Sequence, residues 1–157
     1  MEVKIKLPDI SDYKRVNELA VQLHNLQVSW RPDLYTMVDE VITKSQYKKL
    51  IKNESIYVVR MDEKIVGYII ISMKDKKAKN KKFKDRKYLI VEMMCVDENY
   101  RGKGIGTYLL NYVKELAKDN NCTDMYLMVN QENMGAIKTY EKFGFKLKNV
   151  AYTMKLD

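Results

Sequence analysis

Apolar residues along this chain alternate with polar ones, then recur at helical spacing, then alternate again, and that rhythm sets its elements. Val3, Ile5 and Leu7 alternate with charged neighbours, the two-residue period of a strand. Pro8-Asp9-Ile10-Ser11-Asp12 carries helix-start chemistry, and Val16, Leu19, Ala20, Leu23 and Leu26 then recur with helical period. Residues 27–33 read as a break, because Pro32 disfavours helical geometry at Arg31. A second helix is predicted over about 37–52, on Val38, Val41, Ile42, Tyr47, Leu50 and Ile51, with Asn53 ending it. Residues 55–61 and 64–73 flank the turn Asp62-Glu63 and predict an antiparallel hairpin. Gly67 inside the second strand predicts a bulge or a close backbone approach.

The second half repeats a simpler unit. An apolar strand over 88–96 carries one carboxylate, Glu92, passes the polar turn Asp97-Glu98-Asn99, and reaches Arg101-Gly102-Lys103-Gly104-Ile105-Gly106. A helix follows over 105–119, on Ile105, Tyr108, Leu109, Tyr112, Val113, Leu116 and Ala117. A buried strand over 125–129 leads into a short helix carrying Ala136, Ile137, Tyr140 and Phe143, with Gly144 placed as its left-handed C-cap. Residues 145–147 and 151–156 read as final strands. The order βααββ–βα–βα–ββ predicts one α/β (α+β) domain over 1–157, a mixed sheet of about seven strands with helices on both faces.

A strand that turns through glycines into a helix N-terminus is suited to anions. The first N–H groups of the helix lack internal partners, and the helix dipole favours negative charge there. Arg101 and Lys103 add positive charge, and no acidic residue lies in the first turn. The spacing excludes a P-loop, which needs Gly-x4-Gly-Lys-Ser/Thr. It also excludes Gly-x-Gly-x-x-Gly, since Thr107 and Leu109 stand where the last glycine belongs. Arg-x-x-Gly-x-Gly fits, filled by Arg101, Gly104 and Gly106. A tight turn without ligand would read the same from these residues alone.

With that hexapeptide the chain resembles the GNAT superfamily of N-acetyltransferases. A second stretch strengthens the likeness: strand Tyr126-Leu127-Met128-Val129, then Asn133, Ala136 and Tyr140-Glu141-Lys142-Phe143-Gly144-Phe145. The match covers 55–147 well, and the N-terminal strand and helices agree in order. The resemblance implies the GNAT fold, with acetyl-CoA as co-substrate and an amine as acceptor. It implies that Arg101, Gly102, Lys103, Gly104, Ile105, Gly106 and Thr107 cradle the pyrophosphate, and that Asn133 bonds the pantetheine or pyrophosphate region. The backbone at Cys95 and Val96 would pair with the pantetheine like an added strand.

Transfer to an amine asks for a base, donors for the tetrahedral oxyanion, and an acid for the leaving thiolate. Glu92 lies in an otherwise apolar strand, where burial would raise its carboxyl and suit a base acting through a water. Some family members carry a glutamate nine residues before the loop arginine, as here; others do not. A glutamate facing outward at a bulge, or paired with a lysine, fits the same sequence. Tyr140 matches the family's general acid, although a core tyrosine would fit too. Trp30, Arg31 and Tyr35 lie in the connection that in this family walls the acceptor site. His24, the only histidine, falls at the edge of the first helix's stripe and reads as packing or a cap.

Composition refines this picture. Two cysteines, Cys95 and Cys122, suit neither a disulfide framework nor a zinc site, so a reducing cytoplasm and no metal are expected. The N-terminus has no apolar leader, and no apolar run reaches membrane-spanning length. The net charge of +8 belongs to one segment: residues 74–87 hold nine Lys/Arg against two Asp. A solvated loop is the plain reading, and a contact for RNA, the ribosome, an acidic protein or an anionic surface is the other. Nucleic acid is not the expected partner, since only Phe83 interrupts the run. A catalytically silent coenzyme sensor remains an alternative to the enzyme, and a homodimer is an open expectation.

Overall fold

The computed structural model describes residues 2–157. Strand β1 (Val3–Lys6) leads through a 3-10 turn into helices α1 (Tyr13–Trp30) and α2 (Lys44–Lys52). Strands β2 (Ile56–Met61), β3 (Lys64–Lys76) and β4 (Arg86–Val96) follow, then α3 (Ile105–Asp119), β5 (Asp124–Leu127) and α4 (Met134–Phe143). The strands stand in chain order in one mixed sheet, antiparallel except for the parallel pair β4–β5.

The alternation along the strands feeds two apolar layers. On one face α3 packs Ile105, Leu109, Leu110 and Val113 against Val59, Ile69, Leu89 and Val91. On the other, Val16, Leu19 and Ala20 of α1 and Tyr47 of α2 pack against Val58, Tyr68, Ile70 and Cys95. Neighbouring strand residues thus enter opposite layers, and the predicted helices on both faces are present.

Three expectations change. Helix α1 runs through the predicted break to Trp30, because the steric effect of Pro32 reaches only Arg31, whose φ −136° and ψ 67° leave the helix. The second helix starts at Lys44 rather than about 37. Thr43 and Gln46 close a capping box there, each side chain accepting the other's backbone N–H at 3.1 and 2.9 Å. The residues before it are tied down along α1 instead: Asn17 donates to the Asp39 carbonyl and accepts from the Val41 and Ile42 N–H groups. Among the described residues the sheet has five strands, not about seven. Residues 145–147 and 151–156 form none, and Leu147, Val150, Tyr152, Met154 and Leu156 are all exposed. Their alternation is that of a strand, but they join neither edge of the sheet.

Gly67 fulfils both readings made of it. Val59 faces Gly67 while Arg60 faces Ile65, so Val66 is an extra residue and a bulge. A Cβ at Gly67 would stand 2.8 Å from the Cys95 carbonyl oxygen and 3.0 Å from Val59 Cγ1. Glycine here lets β3 press against β4 beneath Leu109.

Candidate active site

A second bulge shapes the site. Ile71 faces Val91 and Ile70 faces Met93, which leaves Glu92 unpaired in β4. Bulges bend and twist the strand that carries them. The ladder to β5 ends at the same place, with Val91 opposite Leu127 as its last pair. Strand β5 ends there, so from Glu92 to Val96 the β4 backbone has no β5 partner and a gap opens in the ladder.

The glycine loop closes one end of this gap. Gly104 caps α3 with φ 80°, a left-handed conformation that costs other residues strain, and no side chain caps the helix. No acidic residue occupies the first turn. Arg101 is exposed and donates from Nε to the Val96 carbonyl at 3.0 Å, reaching back to the end of β4. The Lys103 ammonium sits 5.0 Å from the Tyr100 ring centroid. Gly102, Lys103, Gly104 and Thr107 are exposed, and Ile105 is buried in the core.

Helix α4 closes the other side. A Cβ on Gly106 would lie 3.5 Å from Met94 Cε and 3.8 Å from Thr139 Cγ2, so the start of α3, strand β4 and helix α4 meet at one point. Tyr140 follows Thr139, half-buried against the α3 layer, with its ring edge-on to Phe145 at 5.9 Å between centroids. Burial pushes its phenol above the ordinary value of 10.0. Asn133 is the N-cap of α4, its Oδ1 accepting the Ala136 N–H at 3.2 Å. The two sequence motifs, far apart in the chain, thus meet where Gly106 approaches Thr139.

The remaining candidates divide. Glu92 is exposed rather than buried; it stands at the bulge and accepts a hydrogen bond from Ser72 Oγ at 2.5 Å. Cys95 lies on the same face of the sheet, covered by α1. Its thiol is buried, donates to the Leu19 carbonyl at 3.2 Å, and is pushed up to about 11, chiefly by burial. Its backbone lies on the stretch of β4 beyond the β5 ladder, but its sulfur is no nucleophile there. Trp30 ends α1, Arg31 pairs with Asp33 at 2.7 Å, and Tyr35 packs edge-on against His24 of α1. The His24 Nε2 bonds the Thr36 carbonyl at 2.7 Å, so the lone histidine anchors this connection.

Asp97 is the residue that the sequence reading passed over as part of a polar turn. It is 2% exposed, the one buried charged residue among those described. Arg15 of α1 pairs with it and also donates to the Ile65 carbonyl at 3.0 Å. The Asn99 N–H reaches Asp97 Oδ1 at 3.0 Å, so this carboxylate starts the turn that feeds the glycine loop. Burial would push its carboxyl up, but the Asn99 hydrogen bond and the Arg15 guanidinium outweigh it and hold it below 3.8. Its contribution to stability is thus full above the unfolded value and is lost as pH falls through the lower folded one. Asp97→Asn is expected to lower stability by about 2–4 kcal/mol at neutral pH. The loss of wild-type stability below about pH 4 should flatten in the variant. Urea unfolding against pH reads both, and identical acid limbs would contradict the assignment.

Beside the loop, a cleft of about 330 Å³ is lined by Gln22, Asn25, Leu26, Ser29, Glu98 and Arg101. No sequence signal marked the α1 residues in it, because they read as the polar stripe of an ordinary surface helix. Among the described residues no helix is long and apolar enough to cross a membrane, and no cluster of three or more His, Cys, Asp or Glu could hold a metal ion.

The fold and site define an α/β protein in which a glycine-opened helix N-terminus stands beside the end of a parallel strand pair. The chain belongs to the acetyltransferase (GNAT) family, whose pattern matches residues 14–145. It is 38% identical over 57 residues to a spermine/spermidine N(1)-acetyltransferase of Bacillus subtilis, over 36% of this chain and 38% of that protein. It is 36% identical over 93 residues to an N-alpha-acetyltransferase of Saccharolobus solfataricus, over 57% of this chain and 55% of that one. The first relatives it matches are spanned over only 21% to 38% of their lengths. A solved tetramutant of the BH1408 protein of Bacillus halodurans shares the fold, with a TM-score of 0.89 at 23% identity over 99% of this chain and 100% of that one.

Proposed function

We propose that this chain, as a single domain, transfers an acetyl group from acetyl-CoA directly to a primary amine. The end of the β4–β5 ladder after Val91 carries the reading. It leaves backbone donors and acceptors beside the glycine loop, where a pantetheine could add as a strand while its pyrophosphate meets Arg101 and the first N–H groups of α3. In this reading the amine, once deprotonated, attacks the thioester carbonyl, and a backbone N–H within residues 94–96 stabilises the oxyanion. The carbon–sulfur bond then breaks, and Tyr140 gives its proton to the departing thiolate. The buried Cys95 thiol supports direct transfer over an acyl-cysteine intermediate.

Glu92 takes the amine's proton, directly or through water, from its exposed place at the bulge. Glu92→Gln keeps the shape and the bond to Ser72 but removes the base. It is expected to lower kcat/KM about tenfold to a hundredfold near pH 7, with recovery as pH rises toward the amine's own pKa. An unchanged pH profile would remove Glu92 from the mechanism. The reading as a whole is tested by free-thiol release from acetyl-CoA across polyamines, aminoglycosides, amino acids and free-amino-terminal peptides. Tight coenzyme binding with no release for any acceptor would make the chain a sensor.

A further inference from the structure

The half of the sheet face around Glu92 lacks a helical cover. On that face the α1 layer reaches only to Ile70 and Met93. Beyond it the strand register places Ser72 opposite Ile90, Lys74 opposite Tyr88 and Lys76 opposite Arg86. On β5, Tyr126 stands beside Ile90. Leu89 and Val91 enter the opposite layer, so Tyr88, Ile90 and Glu92 share the open side. A cleft of about 270 Å³ lies there, lined by Lys76, Arg86, Tyr88, Ile90, Tyr126 and Lys148.

The open face is electropositive. Arg86 lies 4.8 Å over the Tyr88 ring and pairs with Asp124 at 2.5 Å. Lys148 lies 5.6 Å over Tyr126. Lys74, Lys76 and Lys148 have no carboxylate partner among the described residues, whereas Lys77 of the adjoining loop is shared between Asp75 and Asp85. Strand β3 and strand β4 pair out to Lys76 and Arg86, so the lysine-rich segment is in part a fixed strand end rather than wholly a loop.

We propose that this face docks the acceptor as an acidic peptide, its amino terminus at Glu92 and its carboxylates over Lys74, Lys76, Arg86 and Lys148. The proposal rests on the acetyl-transfer reading for the position of the amine. Length selects a peptide over a small acid. Tyr88 and Arg86 lie four and six residues from Glu92, roughly 13 and 20 Å at strand rise. An extended peptide covers that span with acidic residues at about positions four to seven, while one free amino acid does not. Charge selects against a polyamine, whose ammonium groups would meet the unpaired lysines. Single-stranded RNA brings no aliphatic amine, and the rings of Tyr88 and Tyr126 are already covered by this chain's own cations.

The test compares peptides with a free amino terminus that differ only at positions four to seven, filled with Asp, Ala or Lys, together with spermidine, free glutamate and an RNA oligonucleotide. In the wild type, kcat/KM should favour the Asp peptide over the Ala peptide by about tenfold at low salt, and the preference should shrink as salt rises. The double variant Lys76→Glu/Lys148→Glu should abolish or invert the preference. The charge-matched control Lys48→Glu/Lys49→Glu on α2 should keep it. Free glutamate should be no better than the Ala peptide. Equal rates for the three peptides, a preference for spermidine, or selectivity untouched by the double variant would overturn the proposal. So would RNA binding lost in that variant with peptide selectivity unchanged. If no acceptor releases thiol, the transfer reading fails by itself. Anisotropy of labelled Asp and Ala peptides then reads the surface directly, and equal binding overturns it.

Discussion

Tyr140→Phe is expected to lower kcat about 10²- to 10³-fold while the affinity for acetyl-CoA changes less than about threefold. The ring is held where it stands by packing that phenylalanine keeps: the edge-on contact with Phe145 and the α3 layer. The variant should therefore fold and melt close to the wild type. Only the hydroxyl is lost. Burial holds that phenol above its ordinary value, so it stays protonated through neutral pH. This is the state an acid must hold before a thiolate leaves. The fall in activity caused by its deprotonation accordingly lies above pH 10. Steady-state kinetics across pH, set beside equilibrium binding of acetyl-CoA, separate the acid from a packing residue. Equal turnover at every pH would return Tyr140 to the core.

Gly104→Ala is expected to act on the coenzyme more than on the fold. The left-handed φ of 80° costs an alanine about 1–2 kcal/mol, and a Cβ there meets no protein atom within 4 Å. The space it enters is that proposed for the pyrophosphate. The KM for acetyl-CoA should rise at least about tenfold, with kcat changed far less and the Tm lowered by only a few degrees. A variant that melts lower but keeps its KM would show that the loop is a turn and not a cradle.

Much of the fold was legible because local chemistry decided it. Helix α3 begins and ends where the apolar spacing predicts, since glycine opens it and Asn120 closes it. Gly144 adopts φ 119° behind α4, as a left-handed cap must. The second helix was misread because Val38, Val41 and Ile42 have helical spacing but serve a chain laid along α1. Asp97 was missed because its partner, Arg15, lies 82 residues away and no local pattern joins them. Glu92 reads from sequence either as buried or as facing outward at a bulge, because the bulge depends on how β3 meets β4. The lysine-rich segment likewise reads as a loop until the register with β4 is known.

The sequence by itself determined the alternation of elements, the glycine-opened helix and the two motifs that resemble the family. These depend on residues near one another in the chain, through backbone conformations and periodic faces. Only the tertiary structure decided that Gly106, Met94 and Thr139 meet, that β4 leaves β5 at the Glu92 bulge, and that a half-face of the sheet stays open among unpaired lysines. Those follow from strand register and helix packing, where contacts between distant residues choose among arrangements that the local pattern leaves equal.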